Sequence, residues 1–126
     1  GLVEIFVGVE SADNRIKESI TKKTTIDQDQ NIVDWCRKLG IKTKLSFILG
    51  LPGESMESME TTRRWILSQD PQGLRIQLGR LIPFTGTPLT KNPENYDLKY
   101  ETQIDDEWFY RGKMDLDSHS FVSTFF

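Results

Sequence analysis

The chain has 126 residues, 37% hydrophobic and 28% charged, with a formal net charge of −3 at pH 7; this is enough for one domain with a core but short of the roughly 250 residues of a complete (β/α)8 barrel. No segment reaches the run of about 20 apolar residues that spans a bilayer, and no charged-then-apolar leader opens the chain, so neither a membrane span nor a membrane partner is expected. Residues 1–90 carry 12 Lys/Arg against 11 Asp/Glu, and residues 91–126 carry 4 against 8; without a clustered basic face, nucleic acid is not an expected partner.

Leu2 to Val9, rich in β-branched and aromatic residues, reads as a buried strand that closes at the polar cluster Glu10-Ser11-Ala12-Asp13-Asn14. Asp13 is placed to cap a short helix over Asn14 to Ile20. Asp27 to Leu39 sets Ile32, Val33, Cys36 and Leu39 at helical spacing, with Thr25 or Asp27 as N-cap and Gly40 as the stop. Ile41 to Leu49 is a second strand ending at Gly50-Leu51-Pro52-Gly53. A helical pattern over Ser55 to Gln69 follows and is ended by Asp70-Pro71. Leu74 to Ile82 is a third strand, with a turn-rich exit through Pro83-Phe84-Thr85-Gly86-Thr87-Pro88. The alternation predicts an α/β fold: an open sheet of three parallel strands, adjacent in chain order, with right-handed crossover helices. Residues 1–90 form this unit. Residues 91–126 read as an acidic C-terminal extension, loop-like over Asn92 to Tyr100 and with a short helix over Gln103 to Arg111.

In parallel α/β architectures ligands sit at the carboxyl ends of the strands, where loops converge. Three loops lie there. In Gly8-Val9-Glu10-Ser11, a strand-end carboxylate beside a hydroxyl is able to accept from vicinal hydroxyls of a ligand; taken alone, the commoner reading is Glu10 as a solvated loop residue and Ser11 as a helix cap. In Ile48-Leu49-Gly50-Leu51-Pro52-Gly53-Glu54, glycines permit close backbone approach and Glu54 stands near a helix N-terminus; an ordinary strand-to-helix turn accounts for the same residues. Leu81-Ile82-Pro83-Phe84-Thr85-Gly86-Thr87-Pro88-Leu89 offers backbone groups to a flat ring, and alone says little beyond a turn.

In combination, Gly8-Val9-Glu10-Ser11, a lysine-containing helical stretch, Ile48-Leu49-Gly50-Leu51-Pro52-Gly53-Glu54 and Pro83-Phe84-Thr85-Gly86-Thr87-Pro88-Leu89 resemble the second half of radical S-adenosylmethionine (radical SAM) barrels. The resemblance covers roughly residues 3–89. It is nearest to the branch with the cobalamin-binding proteins, the anaerobic magnesium-protoporphyrin ester cyclases and the methylthiotransferases. It implies a partial (β/α) TIM-type barrel whose first strand here is the family's fourth. Glu10, with Ser11, matches the ribose-contacting position. Ile48 and Gly50 match the Gly-x-Ile-x-Gly-x-x-Glu pattern whose apolar residue packs on adenine, with Ser46 at the first glycine and Glu54 one place late. Leu81 and Ile82 match the strand whose backbone reads the adenine edge.

The implied cofactors are S-adenosylmethionine and a 4Fe-4S cluster, with cobalamin as a further cofactor in part of the branch. The implied reaction is reductive cleavage of SAM to a 5′-deoxyadenosyl radical that attacks a substrate, with flavodoxin or ferredoxin as reductant. The family's Cys-x-x-x-Cys-x-x-Cys is absent. The single cysteine, Cys36, excludes a disulfide framework, fits a reducing, cytoplasmic setting, and lies on an apolar helix face where packing is its expected role. A strand at the first residues and the apolar close Phe121-Val122-Ser123-Thr124-Phe125-Phe126 give the expectation of a fragment of a longer enzyme, inactive alone, with the cluster ligands upstream. The acidic tail favours a small-molecule substrate over tRNA. The competing expectation is a non-catalytic α/β binding or interaction module in which the same loops are only turns.

Three further features carry less. Asp115, Asp117 and His119 alternate as metal ligands do, but a polar strand face alternates the same way. Trp35, Trp65 and Trp108 read as helix-packing residues, and Lys22-Lys23 as a solvated turn.

Overall fold

Alternation in Lys42–Leu49 (β2) explains the centre of the molecule: Thr43, Leu45, Phe47 and Leu49 are buried on one face, while Lys44, Ser46 and Ile48 are half-buried on the other. The computed structural model describes residues 1–84, 86–96, 99–104 and 107–111. β2 lies between Glu4–Glu10 (β1) and Leu74–Arg80 (β3), and both pairings are parallel, giving the order β1-β2-β3. Helices Asn14–Ser19 (α1) and Ile26–Lys38 (α2) connect β1 to β2, and Met56–Leu67 (α3) connects β2 to β3. This is a partial α/β barrel-type fold: the parallel order is what the sequence pattern predicts, and the barrel type is what the family resemblance implies.

The helices start where side chains satisfy their first amides. Asp13 accepts from the Arg15 N–H at 2.9 Å. Thr25, rather than Asp27, caps α2 in a capping box with Gln28, and Ser55 caps α3 in a second one with Ser58. One face of the sheet is covered. There Val9, Val33, Leu45, Phe47 and Ile66 form the core, and the Phe47 and Trp65 rings meet at 5.9 Å between centroids. Trp65 therefore packs as expected, whereas Trp35 and Leu39 are exposed, on the outer side and at the C-cap of α2.

Among the described residues no helix covers the opposite face, and pairing aligns its residues in rows: Phe6, Lys44 and Arg75; then Gly8, Ser46 and Gln77; then Ile48 and Gly79. Phe6 is exposed there with the Lys44 ammonium 5.5 Å from its ring centroid.

After a short helix at Pro88–Lys91 (α4) and a 3-10 turn at Pro93–Tyr96, Lys99–Ile104 (β4) and Glu107–Arg111 (β5) pair as an antiparallel hairpin. The helix expected over Gln103 to Arg111 is thus replaced by strands, as the β-propensity of Trp108-Phe109-Tyr110 favours. Asp115, Asp117 and His119 lie outside the described residues, as does the Trp108 side chain. No helix among the described residues is long and apolar enough to cross a membrane.

Candidate functional site: the carboxyl end of the open face

At the carboxyl end of β1 the strand breaks register. Pairing with β2 jumps from Gly8↔Ser46 to Glu10↔Phe47, so Val9 is an extra residue and β1 ends on a bulge. Glu10 leaves the bulge with φ 69°, a left-handed conformation that a non-glycine residue holds only when its surroundings fix it. Its carboxylate folds back over Gly8. A Cβ built on Gly8 would lie 2.5 Å from Glu10 Oε1 and 3.4 Å from Lys22 Nζ, so the absence of a side chain at residue 8 is what makes room for that carboxylate. Lys22 stands 3.6 Å from Glu10 Oε1, both side chains part-exposed, a loose pair that leaves most of the acceptor capacity of Glu10 free.

Ser11 differs from Glu10. It is fully buried, pairs with Thr62 Oγ1 at 3.3 Å and accepts from the Asp13 N–H, while the Ala12 N–H donates to the same Thr62 oxygen. The Ser11 hydroxyl thus fastens the loop after β1 to α3. Ser19 Oγ fastens α1 to the next loop by donating to the Pro52 carbonyl.

The loop after β2 is closed by its own acid. Glu54 Oε2 accepts from the Gly50 N–H at 2.6 Å and the Leu51 N–H at 3.1 Å, while Oε1 is buried without a partner. Burial pushes the Glu54 carboxyl up to about 7 against the opposing pull of those two amides, with a smaller upward contribution from Asp13. Gly50 and Gly53, at φ 83° and 79°, supply the left-handed turns.

Ile48 is half-buried on the open face and aligned with Gly79, whose missing side chain leaves the surface beside it bare: a Cβ there would meet only the Phe47 carbonyl, at 3.8 Å. The Leu81 N–H continues the sheet by donating to the Leu49 carbonyl. The Leu81 carbonyl and both backbone groups of Ile82 form no hydrogen bond with the described residues, and the Ile82 side chain is exposed. Glu10, Ile48, Gly50, Leu81 and Ile82 therefore share one edge, and Ser11 lies beneath it. An accepting carboxylate, an apolar platform and backbone groups unpaired among the described residues are the kinds of group that the diol, flat ring and polar ring edge of a nucleoside require.

The cluster finds no such fit. Cys36 is buried on α2 at the covered face, and no group of three or more His, Cys, Asp or Glu residues able to hold a metal occurs among the described residues.

The sequence reading missed the buried ion pair below this edge. Lys17 Nζ lies 2.5 Å from Asp29 Oδ2, each side chain 1% exposed, and donates to the Val9 carbonyl at 2.8 Å. A signal was there: Ile26, Asp29, Val33 and Cys36 share one helical face, and an acid in such a row calls for a buried partner.

Three parallel strands joined by crossover helices make a partial α/β barrel-type fold with its loops gathered at the carboxyl end of the sheet. The radical SAM superfamily matches residues 1–66, and the chain belongs to that superfamily. The chain is 31% identical over 71 residues to an anaerobic magnesium-protoporphyrin IX monomethyl ester cyclase of Rubrivivax gelatinosus, covering 56% of this chain and 13% of that protein. It is 33% identical over 89 residues to an uncharacterized methyltransferase of Pyrococcus horikoshii, covering 71% and 19%. It is 31% identical over 85 residues to the ester cyclase of Cereibacter sphaeroides, covering 68% and 14%. The chain thus spans less than a fifth of the length of these relatives.

Proposed function

We propose that this chain is the adenosyl-holding part of a larger radical SAM enzyme acting on a small-molecule substrate. The observation that carries the reading is the Glu10 carboxylate, held over side-chain-free Gly8 at the end of a parallel strand and beside the apolar, uncovered surface of Ile48 and Gly79. Bound SAM and a reduced 4Fe-4S cluster would supply one-electron cleavage and hydrogen abstraction. The residues of this chain bind and orient. Glu10 accepts from the two ribose hydroxyls, Ile48 lies against the adenine face, and the backbone at Leu81 and Ile82 meets its polar edge. Ser11 and Glu54 hold the two loops in shape, so the grip is formed before the ligand arrives.

The cluster ligands belong to the rest of the enzyme, since Cys36 is buried on the far face of the sheet. The acidic balance of residues 91–126 supports a small molecule over RNA, as does the name of the two cyclase relatives, whose substrate is a porphyrin ester. The test is anaerobic incubation of the reduced, cluster-loaded full-length protein with SAM. Formation of 5′-deoxyadenosine and methionine is expected. A cluster-loaded, reduced protein that yields neither would leave the chain as a non-catalytic binding module.

A further inference from the structure

We propose that the buried Lys17–Asp29 pair is a positioning device for Glu10, acting through the carbonyl of Val9. The inference rests on Glu10 being the ribose contact. Val9 is the extra residue of the β1 bulge, and its carbonyl accepts two hydrogen bonds, from the Ser11 N–H at 2.9 Å and from Lys17 Nζ at 2.8 Å. The next residue is Glu10, at φ 69°. A left-handed, non-glycine strand end persists only where neighbours over-determine it, and Lys17 grips the peptide unit that fixes it. Backbone bonding adds a second tie: the Lys17 carbonyl accepts from the Lys22 N–H at 2.8 Å, so the same residue also places the lysine that faces Glu10.

The chemistry of the pair points the same way. An ammonium and a carboxylate, each 1% exposed, are a poor means of filling a core, because apolar side chains of similar size commonly do as well or better. An apolar residue at position 17 would fill the space but would leave the Val9 carbonyl with one donor fewer. Asp29 then serves to make a buried cation tolerable. Lys17 is a positioning residue, with no expected contact to the ligand.

The experiment uses the cluster-loaded full-length protein, with SAM affinity from anaerobic equilibrium titration and fold from the thermal midpoint. K17M/D29L, which removes both charges and keeps an apolar fill, should retain or raise the midpoint yet bind SAM about tenfold more weakly. D29N, which keeps the lysine at the Val9 carbonyl, should bind within about twofold of wild type while its midpoint falls. Adding K17M/D29L to E10Q should cost no further affinity, since both changes act through one carboxylate. A purely structural pair would instead give losses that add. If E10Q weakens binding while folded K17M/D29L binds as wild type does, the positioning role is overturned and the Glu10 reading stands. If E10Q itself binds as wild type does, the ribose reading falls, and this inference with it. Should K17M/D29L not fold, K17M/D29N reads the same affinity. Failure of both to fold would assign the pair to core stability and overturn the proposal.

Discussion

Glycine 8 and glutamates 10 and 54 show how much of this site is decided by single residues. Gly8→Ala brings a methyl within 2.5 Å of Glu10 Oε1, an atom at the far end of a flexible side chain, so the carboxylate swings aside while the strand survives. SAM affinity of the full-length protein should fall severalfold with a near-unchanged thermal midpoint; unchanged affinity would mean that the carboxylate does not need its place over residue 8. Glu54 makes a pH prediction. Its folded pKa of about 7 lies above the ordinary 4.5, so the folded state holds the proton more tightly and stability falls as pH rises between those values, then levels off. With part of the shift discounted for solvent screening, the loss is on the order of 2 kcal/mol. Glu54→Gln keeps an oxygen for the Gly50 and Leu51 amides and should flatten that slope in urea unfolding at pH 4.5 to 7.5. A slope identical to wild type would place the proton elsewhere. Of these residues, Glu10 has a strand-end place that is legible in the sequence, because the apolar run of β1 stops there. Lys17 and Asp29 were not, because their partner is set by the packing of two helices that sequence spacing does not specify.

At the scale of elements, the three strands and two longer helices are readable because period-2 and helical apolar patterns meet Gly and Pro punctuation at each end. Boundaries shifted by one or two residues where caps decided them, as at Thr25 and Ser55. The hairpin of β4 and β5 replaces a loop expected through Tyr100 and a helix expected over Gln103 to Arg111, because its short strands offer too few residues for a period to show, and the three consecutive aromatics of β5 are the better guide. The covered face of β2 is where stability concentrates. Phe47, fully buried and set against Trp65, should cost about 3–5 kcal/mol when changed to Ala. Urea unfolding checks this, and a loss below 1 kcal/mol would show that β2 is not the core of the unit.

At the scale of the whole molecule, the three-stranded sheet has, among the described residues, one covered face and one open one. Helices cover Leu45 and Phe47, while Phe6, Ser46, Ile48 and Gly79 face outward from the other side, which in a closed barrel is the interior. Superfamily membership and the cofactor pair were legible from three loops read together. The substrate was not, because the residues that would select it are not confined to these three loops. One thiolate cannot hold a cluster that needs several. The 126-residue chain, reconstituted anaerobically with iron and sulfide, should therefore take up no stoichiometric cluster by iron analysis and visible absorption.

The claim that this open edge grips the adenosyl group of SAM is tested most directly by one titration, comparing wild-type and Glu10→Gln full-length protein, cluster-loaded and anaerobic. Gln keeps the shape and removes the charge. Charge-assisted hydrogen bonds are worth about 1.5–3 kcal/mol each, so losing that assistance should weaken SAM binding about tenfold, equivalent to about 1.4 kcal/mol, while cluster content stays at the wild-type level. Equal affinity in the two proteins, with equal cluster content, would contradict the account.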